Sequence, residues 1–231
     1  LAQGRYLLLL NPDTVILDDA LRKSIQFADH YPKAGVVGVR IENPDGTLQH
    51  NCFQYAGVLN TLIAALGLHV AFPKSRFFGR ERMAWWDYKE TREVPVVAGC
   101  FMLLRREALN QVGTFDENYF IYGEEMDLCW RMNEAGWKVV FYPQARILHY
   151  GGVSTSKCAV EMSYQSRHSY LYFIRKKSGL PAKWAVIGIL VFRGIIRLTY
   201  WILRWLTASG SDSRALARRR MAETVGSCFG S

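Results

Sequence analysis

The sequence predicts an α/β fold, with a mixed, mostly parallel sheet flanked by helices and an amphipathic or membrane helix near the C-terminus. The run Tyr6–Leu10 is continuously apolar, as in strands buried on both faces of a sheet. Short apolar strands then alternate with helical patterns as far as about residue 150, which favours an α/β layered domain. Residues 184–206 are strongly apolar but carry three arginines, which predicts the additional helix.

The first half of the chain is divided by clear turn and helix signals. Pro12 has no N–H with which to prolong a strand, so the segment around it predicts a turn. The turn around Asn43 predicts a hairpin in the same way. The expected elements are a strand at 6–10, a turn at 11–14, a helix from Asp18 or Asp19 to about Tyr31, a strand at 36–41, a turn at 43–46 and a returning strand at 47–54.

The second half is harder to assign between residues 56 and 92. Trp85 and Trp86 beside the basic loop 74–82 could form a platform on which a sugar stacks, or could be buried anchors of that loop. The expected elements are a helix at 58–70, a strand at 94–97, a strand after the turn at 99–100, a helix at 107–112, a helix at about 123–135, a strand at 137–142 ended by Pro143, and a strand at 145–150.

Acidic residues are concentrated at two places that could form a site. Glu124, Glu125 and Asp127 follow Gly123 in the first turn of the expected helix, where the helix dipole favours carboxylates. Asp13 follows the first strand, and His149 ends the last. Carboxylates at strand ends with a nearby histidine are suitable ligands for Mg²⁺ or Mn²⁺ holding a diphosphate. Each feature has an alternative explanation. The acids after Gly123 could serve only to stabilise the start of the helix, the segment ending at Asp13 could be a simple turn, and His149 could be a packed or surface residue.

In this order, the motifs resemble the family 2 glycosyltransferases, particularly the bacterial rhamnosyltransferase-like members. The resemblance covers roughly residues 1–179 and implies a GT-A type of fold. It also implies an N-terminal nucleotide-binding portion, which this chain is expected to lack. The matching pieces are Tyr6-Leu-Leu-Leu-Leu-Asn-Pro-Asp13, Val97 to Ala108, Val112 to Arg131, Ala135-Gly-Trp-Lys138 and His149-Tyr-Gly-Gly-Val-Ser154.

The resemblance also implies the site chemistry, which is transfer of a sugar from a nucleotide-diphosphate donor with inversion at the anomeric carbon. Rhamnose is a candidate sugar, and the acceptor would be a glycan or a lipid-linked glycan in cell-envelope polysaccharide synthesis. The cofactor would be Mg²⁺ or Mn²⁺. The resemblance implies that Asp13 and His149 bind the metal and that Glu125 is the catalytic base, with Glu124 as its competitor. The implied substrate-binding residues are Gly99, Cys100, Asp127 and Arg131. A structural role is also open for Asp127, and a site role is considered for His50.

The C-terminal third is expected to contact a membrane. As a helix, residues 184–206 would be about 34 Å long, enough to span a bilayer. Arg193, Arg197 and Arg204 fall on one helical face, which favours a helix lying in the interface over a single span, and both over a helix packed on the domain. The expected domains are 1–179, the membrane-associated helix 180–207, and a basic tail 208–231, either disordered or bound to a surface.

Charge and cysteine content place the chain at the cytoplasmic face of the inner (plasma) membrane, as a peripheral or single-span protein. The net charge is +9, with most of the basic excess after His149. Because that excess lies in a Trp-, Ile- and Leu-rich segment, an anionic membrane is favoured over nucleic acid. No signal peptide is recognisable, and the five cysteines form no Cys-x-x-Cys pair. The alternative function is a non-catalytic, membrane-associated scaffold.

Overall fold

The computed structural model describes residues 3–151, 159–208 and 210–229, with the side chains of 159–163 and 226–229 left out. The chain divides into two compact units. The sheet unit contains Leu1–Tyr55 and His69–Lys157, and the helical unit contains Ala56–Leu68 and Cys158–Ser231. Residue 179, the expected end of the first domain, lies within the helical unit.

The sheet unit contains a seven-stranded mixed sheet, which confirms the α/β prediction. Five strands form its main path in the order β1-β8-β3-β9-β2, while β4 pairs with β3, and β6 pairs with β9. The elements are β1 (Tyr6–Leu10), β2 (Thr14–Leu17), α1 (Ala20–His30), β3 (Ala34–Glu42), β4 (Leu48–Gln49), β5 (Cys52–Phe53), β6 (Arg92–Glu93), β7 (Val96–Val97), β8 (Phe101–Arg105), α4 (Arg106–Val112), α5 (Glu124–Glu134) and β9 (Lys138–His149).

The direction of pairing corrects the expectation of a mostly parallel sheet. Among the described strands only β3 and β9 pair in parallel, and the other pairs of this sheet are antiparallel. The run Tyr6–Leu10 was assigned to a parallel strand because it is apolar throughout. Helices cover both faces of the sheet here, so an antiparallel strand needs the same composition.

Two apolar layers enclose the sheet. Neighbouring strand residues alternate between the layers, so that Val36 and Val139 point to one side and Val37 and Val140 to the other. Helix α1 covers the second side with Ala20, Ala28 and other apolar residues. Helices α4 and α5 cover the first, with Ala108, Leu109, Leu128, Cys129 and Met132 fully or nearly fully buried. The site residues on α5 therefore stand on a rigid support.

Strand β9 corrects the expectation of two strands separated by Pro143. It runs unbroken from Lys138 to His149, and its pairing with β3 shifts register between Tyr142 and Arg146. Pro143 lies in this irregular stretch, where the ladder does not require its missing N–H. The continuous strand carries His149 to the edge where β1 ends and β2 begins.

A two-stranded sheet formed by β5 and β7 packs closely against β3. Gly38 permits this approach, because a Cβ there would lie 2.6 Å from Cγ1 of Val97. Ala98 then donates its N–H to the Asn51 carbonyl at 2.8 Å, and Asn11 donates to the Cys100 carbonyl at 3.1 Å. The loops after β1, β4 and β7 are thereby joined at one edge of the sheet.

The helical unit consists largely of α2 (Val58–Ala65), α6 (Ala159–Thr207) and α7 (Ser211–Phe229). The expected helix at 58–70 is divided at Gly67 (φ 71°), after which α3 (Leu68–Ala71) begins. Gly179 breaks the backbone of α6 (φ 83°, ψ 178°), two residues before Pro181. Of the two alternatives for the tail, disorder does not agree with α7, because good helix formers such as Ala, Leu, Arg, Met and Glu make up much of residues 214–223. Binding of the tail to a surface stays a prediction.

Within α6, Tyr164–Thr207 is long and apolar enough to cross a membrane, judged by length and composition alone. Only 11% of the most apolar part of this segment is buried.

Candidate active site

Asp13 and His149 meet at the edge of the sheet. Thr14 of β2 pairs with His149 of β9, which places the preceding Asp13 carboxylate beside the imidazole. Oδ1 of Asp13 lies 3.3 Å from Nε2 of His149, and both side chains are less than one-third exposed. The first and last motifs of the sequence therefore form one site.

A third side chain fixes the histidine ring. Nδ1 of His149 donates to Oε1 of Gln49 at 2.7 Å, since that oxygen can only accept. In the neutral form of the ring, Nε2 then carries the lone pair that faces Asp13, and it has a long contact of 3.4 Å with the Asn11 amide. Two acceptors 3.3 Å apart repel one another unless a proton or a metal cation lies between them.

This arrangement fits a divalent cation with two protein ligands. No group of three or more His, Cys, Asp or Glu residues that could hold a metal is present among the described residues. A closed, all-protein metal cage is therefore not formed by this part of the chain. Mg²⁺ commonly takes one or two carboxylates from the protein and completes its shell with water and substrate phosphates, so Asp13 supplies its usual kind of ligand and His149 an adjacent nitrogen ligand. Asp13 and His149 suit that mode of binding.

Glu124 and Glu125 begin α5 beside the same edge. Gly123 precedes them in the left-handed region (φ 94°) and donates its N–H to Oε2 of Glu125 at 3.1 Å. Burial, followed by the charge of Glu124, raises the pKa of Glu125 to about 7. Oε2 of Glu124 is buried and has no hydrogen-bond partner among the described residues. A carboxyl group with a pKa in this range is suited to general-base chemistry near neutral pH.

The small residues between β7 and β8 lie next to these acids. A Cβ on Gly99 would lie 3.9 Å from Cβ of Glu125. The Cys100 thiol is buried, which raises its pKa to about 12, and the charges of Glu125 and Asp13 act in the same direction. A thiol in this state is neutral and does not act as a nucleophile near pH 7. Gly99 and Cys100 leave space beside the acids rather than supplying chemistry.

Most of these residues line one cavity of about 1010 Å³. Its lining includes Gly99, Cys100, Glu124, Glu125 and His149, which were expected from the sequence. Asp13 reaches it through its contact with His149. Apolar and aromatic side chains, including those of Phe115, Ile121 and Tyr122, line another part. The volume is ample for a small-molecule substrate.

Asp127 and Arg131, the remaining expected substrate ligands, are outside the described lining of this cavity. Asp127 is fully buried and accepts from Nε of Arg131 at 2.8 Å and from the Tyr119 hydroxyl at 3.4 Å. Arg131 also donates to the Val112 and Thr114 carbonyls at 2.6 and 2.7 Å. The pair holds α5 to the chain after α4, which corresponds to the structural role left open for Asp127.

Several cavity residues were not assigned from the sequence. Gln49 positions His149, and Asn51 lines the cavity while its buried Oδ1 lacks a partner among the described residues. Both belong to a segment that the sequence identified only as a returning strand. His50, for which a site role was considered from the sequence, also lines the cavity. Trp86, by contrast, is buried against Tyr88 with ring centroids 4.3 Å apart, as expected of a loop anchor.

Similarity to known proteins extends over most of the chain. An N-acetylglucosaminyl-diphospho-decaprenol L-rhamnosyltransferase of Mycobacterium tuberculosis is 29% identical over 201 residues, which are 81% of this chain and 62% of that protein. The Rhamnosyltransferase WbbL of Escherichia coli K12 is 27% identical over 152 residues, 64% of this chain and 53% of that protein. The chain thus spans less than two-thirds of the length of either relative.

Among solved structures, GalNAc-T7 with UDP, GalNAc and Mn²⁺ aligns with 78% of this chain and 37% of its own, at a TM-score of 0.44 and 13% identity. The family described as glycosyltransferase-like family 2 matches residues 1–170, which include β1, Glu124 and Glu125 of α5, and His149. The chain belongs to the glycosyltransferase-like family 2.

Proposed function

We propose that this chain transfers a sugar from a nucleotide-diphosphate donor to a glycan or lipid-linked acceptor, with inversion at the anomeric carbon. The observation that carries the proposal is the cavity itself, where a carboxylate with a pKa of about 7 and an Asp–His pair line or border the same space. The names of the two relatives suggest rhamnose as the sugar, and one of them names a lipid-diphosphate-linked sugar as acceptor. Cell-envelope polysaccharide is the product class that we propose with them.

In this proposal Glu125 is the base that takes the proton from the attacking acceptor hydroxyl. One base without a carboxylate nucleophile implies a single displacement, hence inversion. Glu124 remains the competing base, because it lines the same cavity and has the buried, unpartnered oxygen described above. Gly99 and Cys100 would let the donor approach the backbone closely.

Asp13 and His149 would hold Mg²⁺ or Mn²⁺ in this proposal. When bound, the cation neutralises the charge that develops on the diphosphate leaving group. Gln49 keeps the Nδ1 proton of His149 engaged, which leaves Nε2 available as a ligand. The chain's own contribution at this end of the cavity is to orient an imidazole and a carboxylate toward one point.

The proposed location is the cytoplasmic face of the inner (plasma) membrane. The exposed apolar surface of α6 supports a membrane partner, and a lipid-linked acceptor would be reached there. Both a peripheral arrangement and a single span are compatible with the length of this helix.

The first test is thermal stability of the chain with UDP, dTDP and GDP, each with and without Mn²⁺. We expect one nucleotide to raise the melting temperature only when the cation is present, because ligands that bind the folded state stabilise it. His149→Ala should abolish the cation-dependent part of the shift. His30→Ala, at an exposed histidine of α1, should retain it.

The matching labelled nucleotide-sugar, supplied with a polyprenyl-diphosphate-linked acceptor, then tests transfer, and the anomeric configuration of the product tests inversion. If no nucleotide shifts the melting temperature with either Mn²⁺ or Mg²⁺, and no sugar is transferred, the enzyme proposal fails. The membrane-associated scaffold would then be the remaining reading.

A further inference from the structure

A second cavity, of about 430 Å³, lies entirely within the helical unit. Arg167 and Leu171 line it from before the break at Gly179, and Arg193 and Arg197 line it from after the break. Thr224 of α7 closes another side. We call this cavity the arginine groove, after the three arginines 167, 193 and 197.

The arginine groove has an excess of positive charge. All three guanidinium groups belong to half-buried residues, and none forms an ion pair with a described side chain. From residue 162 to residue 211 the sequence contains no Asp or Glu, so this part of α6 supplies no counterion. On α7, Glu223 is already bonded to Arg219 and Arg220. Three half-buried cations without a described carboxylate favour an anionic ligand.

The remaining groove lining is apolar, consisting of Leu171, Ile187, Leu190, Val191 and Gly194 with Thr224 as the polar exception. Next to the groove residues on α6, Phe192, Ile195 and Ile196 are 52 to 62% exposed. A ligand that satisfies both features carries an anionic group and hydrocarbon together. Arginine in particular suits phosphate oxygens, because its planar fork can donate two parallel hydrogen bonds.

We propose that the arginine groove binds the phosphate head group of an anionic membrane phospholipid, with its three arginines on the phosphate and its apolar lining against the first hydrocarbon segments. The exposed apolar residues beside the groove favour a lipid from the bilayer over a soluble phosphate compound. The site lies outside the cavity that contains Glu125, so binding here does not depend on sugar transfer.

The test is lipid binding by the full chain in nonionic micelles, where bulk membrane charge is absent. Dioleoyl phosphatidylglycerol is titrated as the anionic probe and dioleoyl phosphatidylcholine as the neutral one, and bound lipid is counted by native mass spectrometry. We expect about one phosphatidylglycerol per chain and at least tenfold weaker retention of phosphatidylcholine. The double variant Arg193→Gln/Arg197→Gln should weaken phosphatidylglycerol binding at least tenfold.

The matched control is Arg175→Gln/Arg204→Gln, which removes the same charge from two exposed arginines of α6 that do not line the groove. Its affinity should stay within threefold of the original chain. Circular dichroism verifies folding. If the groove double variant does not fold, Arg167→Gln is compared with Arg175→Gln by the same criteria.

Equal loss of binding in both double variants would overturn the proposal, because charge alone would then explain it. Complete displacement by millimolar inorganic phosphate would also overturn it, since the ligand would not need hydrocarbon. Displacement by an equimolar polyprenyl phosphate would assign the groove to a substrate lipid instead of a phospholipid. Resistance to both competitors supports the phospholipid.

Discussion

Glu125 has an environment unlike that of an ordinary surface carboxylate. It stands in the first turn of a helix, where the dipole and the Gly123 N–H stabilise its charge, yet burial and Glu124 outweigh both and raise its pKa to about 7. A base needs such a balance, because it must be ionised at working pH and still accept a proton readily.

We expect Glu125→Gln to reduce transfer by about 10²- to 10⁴-fold, since an amide cannot accept the acceptor's proton. In the original chain, kcat/KM should rise with pH and level off above about 7, as Glu125 becomes ionised. Glu125→Asp should restore part of the activity. The matched comparison is Glu124→Gln: if it removes activity and Glu125→Gln does not, the two roles are exchanged.

The same carboxylate makes folding stability depend on pH. The folded protein holds the Glu125 proton more tightly than the unfolded chain, so the free energy of unfolding falls as pH rises from about 4.5 to about 7. A pKa difference of this size lowers the free energy of unfolding by at most about 3 kcal/mol. Because water in the cavity solvates the charged carboxylate, we expect a measured decrease of about 1–2 kcal/mol.

Glu125→Gln should therefore be more stable than the original chain at pH 8 and nearly equal to it at pH 4. Urea unfolding at several pH values measures the difference. Glu117→Gln, at an exposed position, should show no such pH-dependent gain. A Glu125→Gln chain that is less stable at pH 8 would contradict the assigned burial of the charge.

Site residues differ in how far the sequence could identify them. Asp13, Glu125 and His149 were identified because they belong to recognisable motifs, although 136 positions separate the first from the last. Gln49 was missed because its contact with His149 depends on β4 pairing with β3 and β3 pairing with β9. Such a contact follows from long-range pairing and leaves no local signal.

At the level of elements, the Asp127–Arg131 pair shows how α5 is held in place. The carboxylate is fully buried, and the guanidinium also donates to the carbonyl of Val112 at the end of α4 and to that of Thr114 just beyond it. Removing one member of a buried ion pair leaves the other charge uncompensated, which costs about 3–5 kcal/mol. This cost would fall on the helix that carries Glu124 and Glu125.

We expect Asp127→Asn to lower the free energy of unfolding by several kcal/mol, while the folded fraction keeps its KM for donor within about threefold. Urea unfolding and steady-state kinetics measure the two effects. Asp87→Asn, which breaks an exposed pair with Lys89, should cost less than about 1 kcal/mol. A tenfold higher KM at unchanged stability would instead restore the substrate-binding role first expected for Asp127.

The elements themselves were predictable where one local pattern dominates. Helices α1, α4 and α5 and strands β1 and β3 appear within a few residues of their expected limits. Strand direction was not predictable, because burial on both faces gives parallel and antiparallel strands the same apolar composition. Pro143 was expected to end a strand, but a register shift accommodates it within β9. Disorder was expected for the tail because of its small, polar and basic residues, although many of these residues favour a helix.

At the level of the whole chain, the two units contain different functional features. The sheet unit contains the proposed chemistry, and the helical unit contains the apolar surface and the arginine groove. In α6, Arg193 and Arg197 line the groove, whereas Phe192, Ile195, Ile196 and Leu203 are exposed. This division of polar and apolar faces is typical of helices that lie in a membrane interface.

We therefore expect the chain to float with anionic vesicles and to be released by alkaline carbonate. Two arginines near the centre of a span would cost about 5–7 kcal/mol, roughly what the apolar residues return, so removing them should favour insertion. Arg193→Leu/Arg197→Leu should accordingly resist carbonate. Arg175→Leu/Arg204→Leu makes the same change in residue type outside the centre of the apolar segment and should still be released. If the original chain resists carbonate, the helix spans the bilayer despite its arginines, and the interfacial arrangement is wrong.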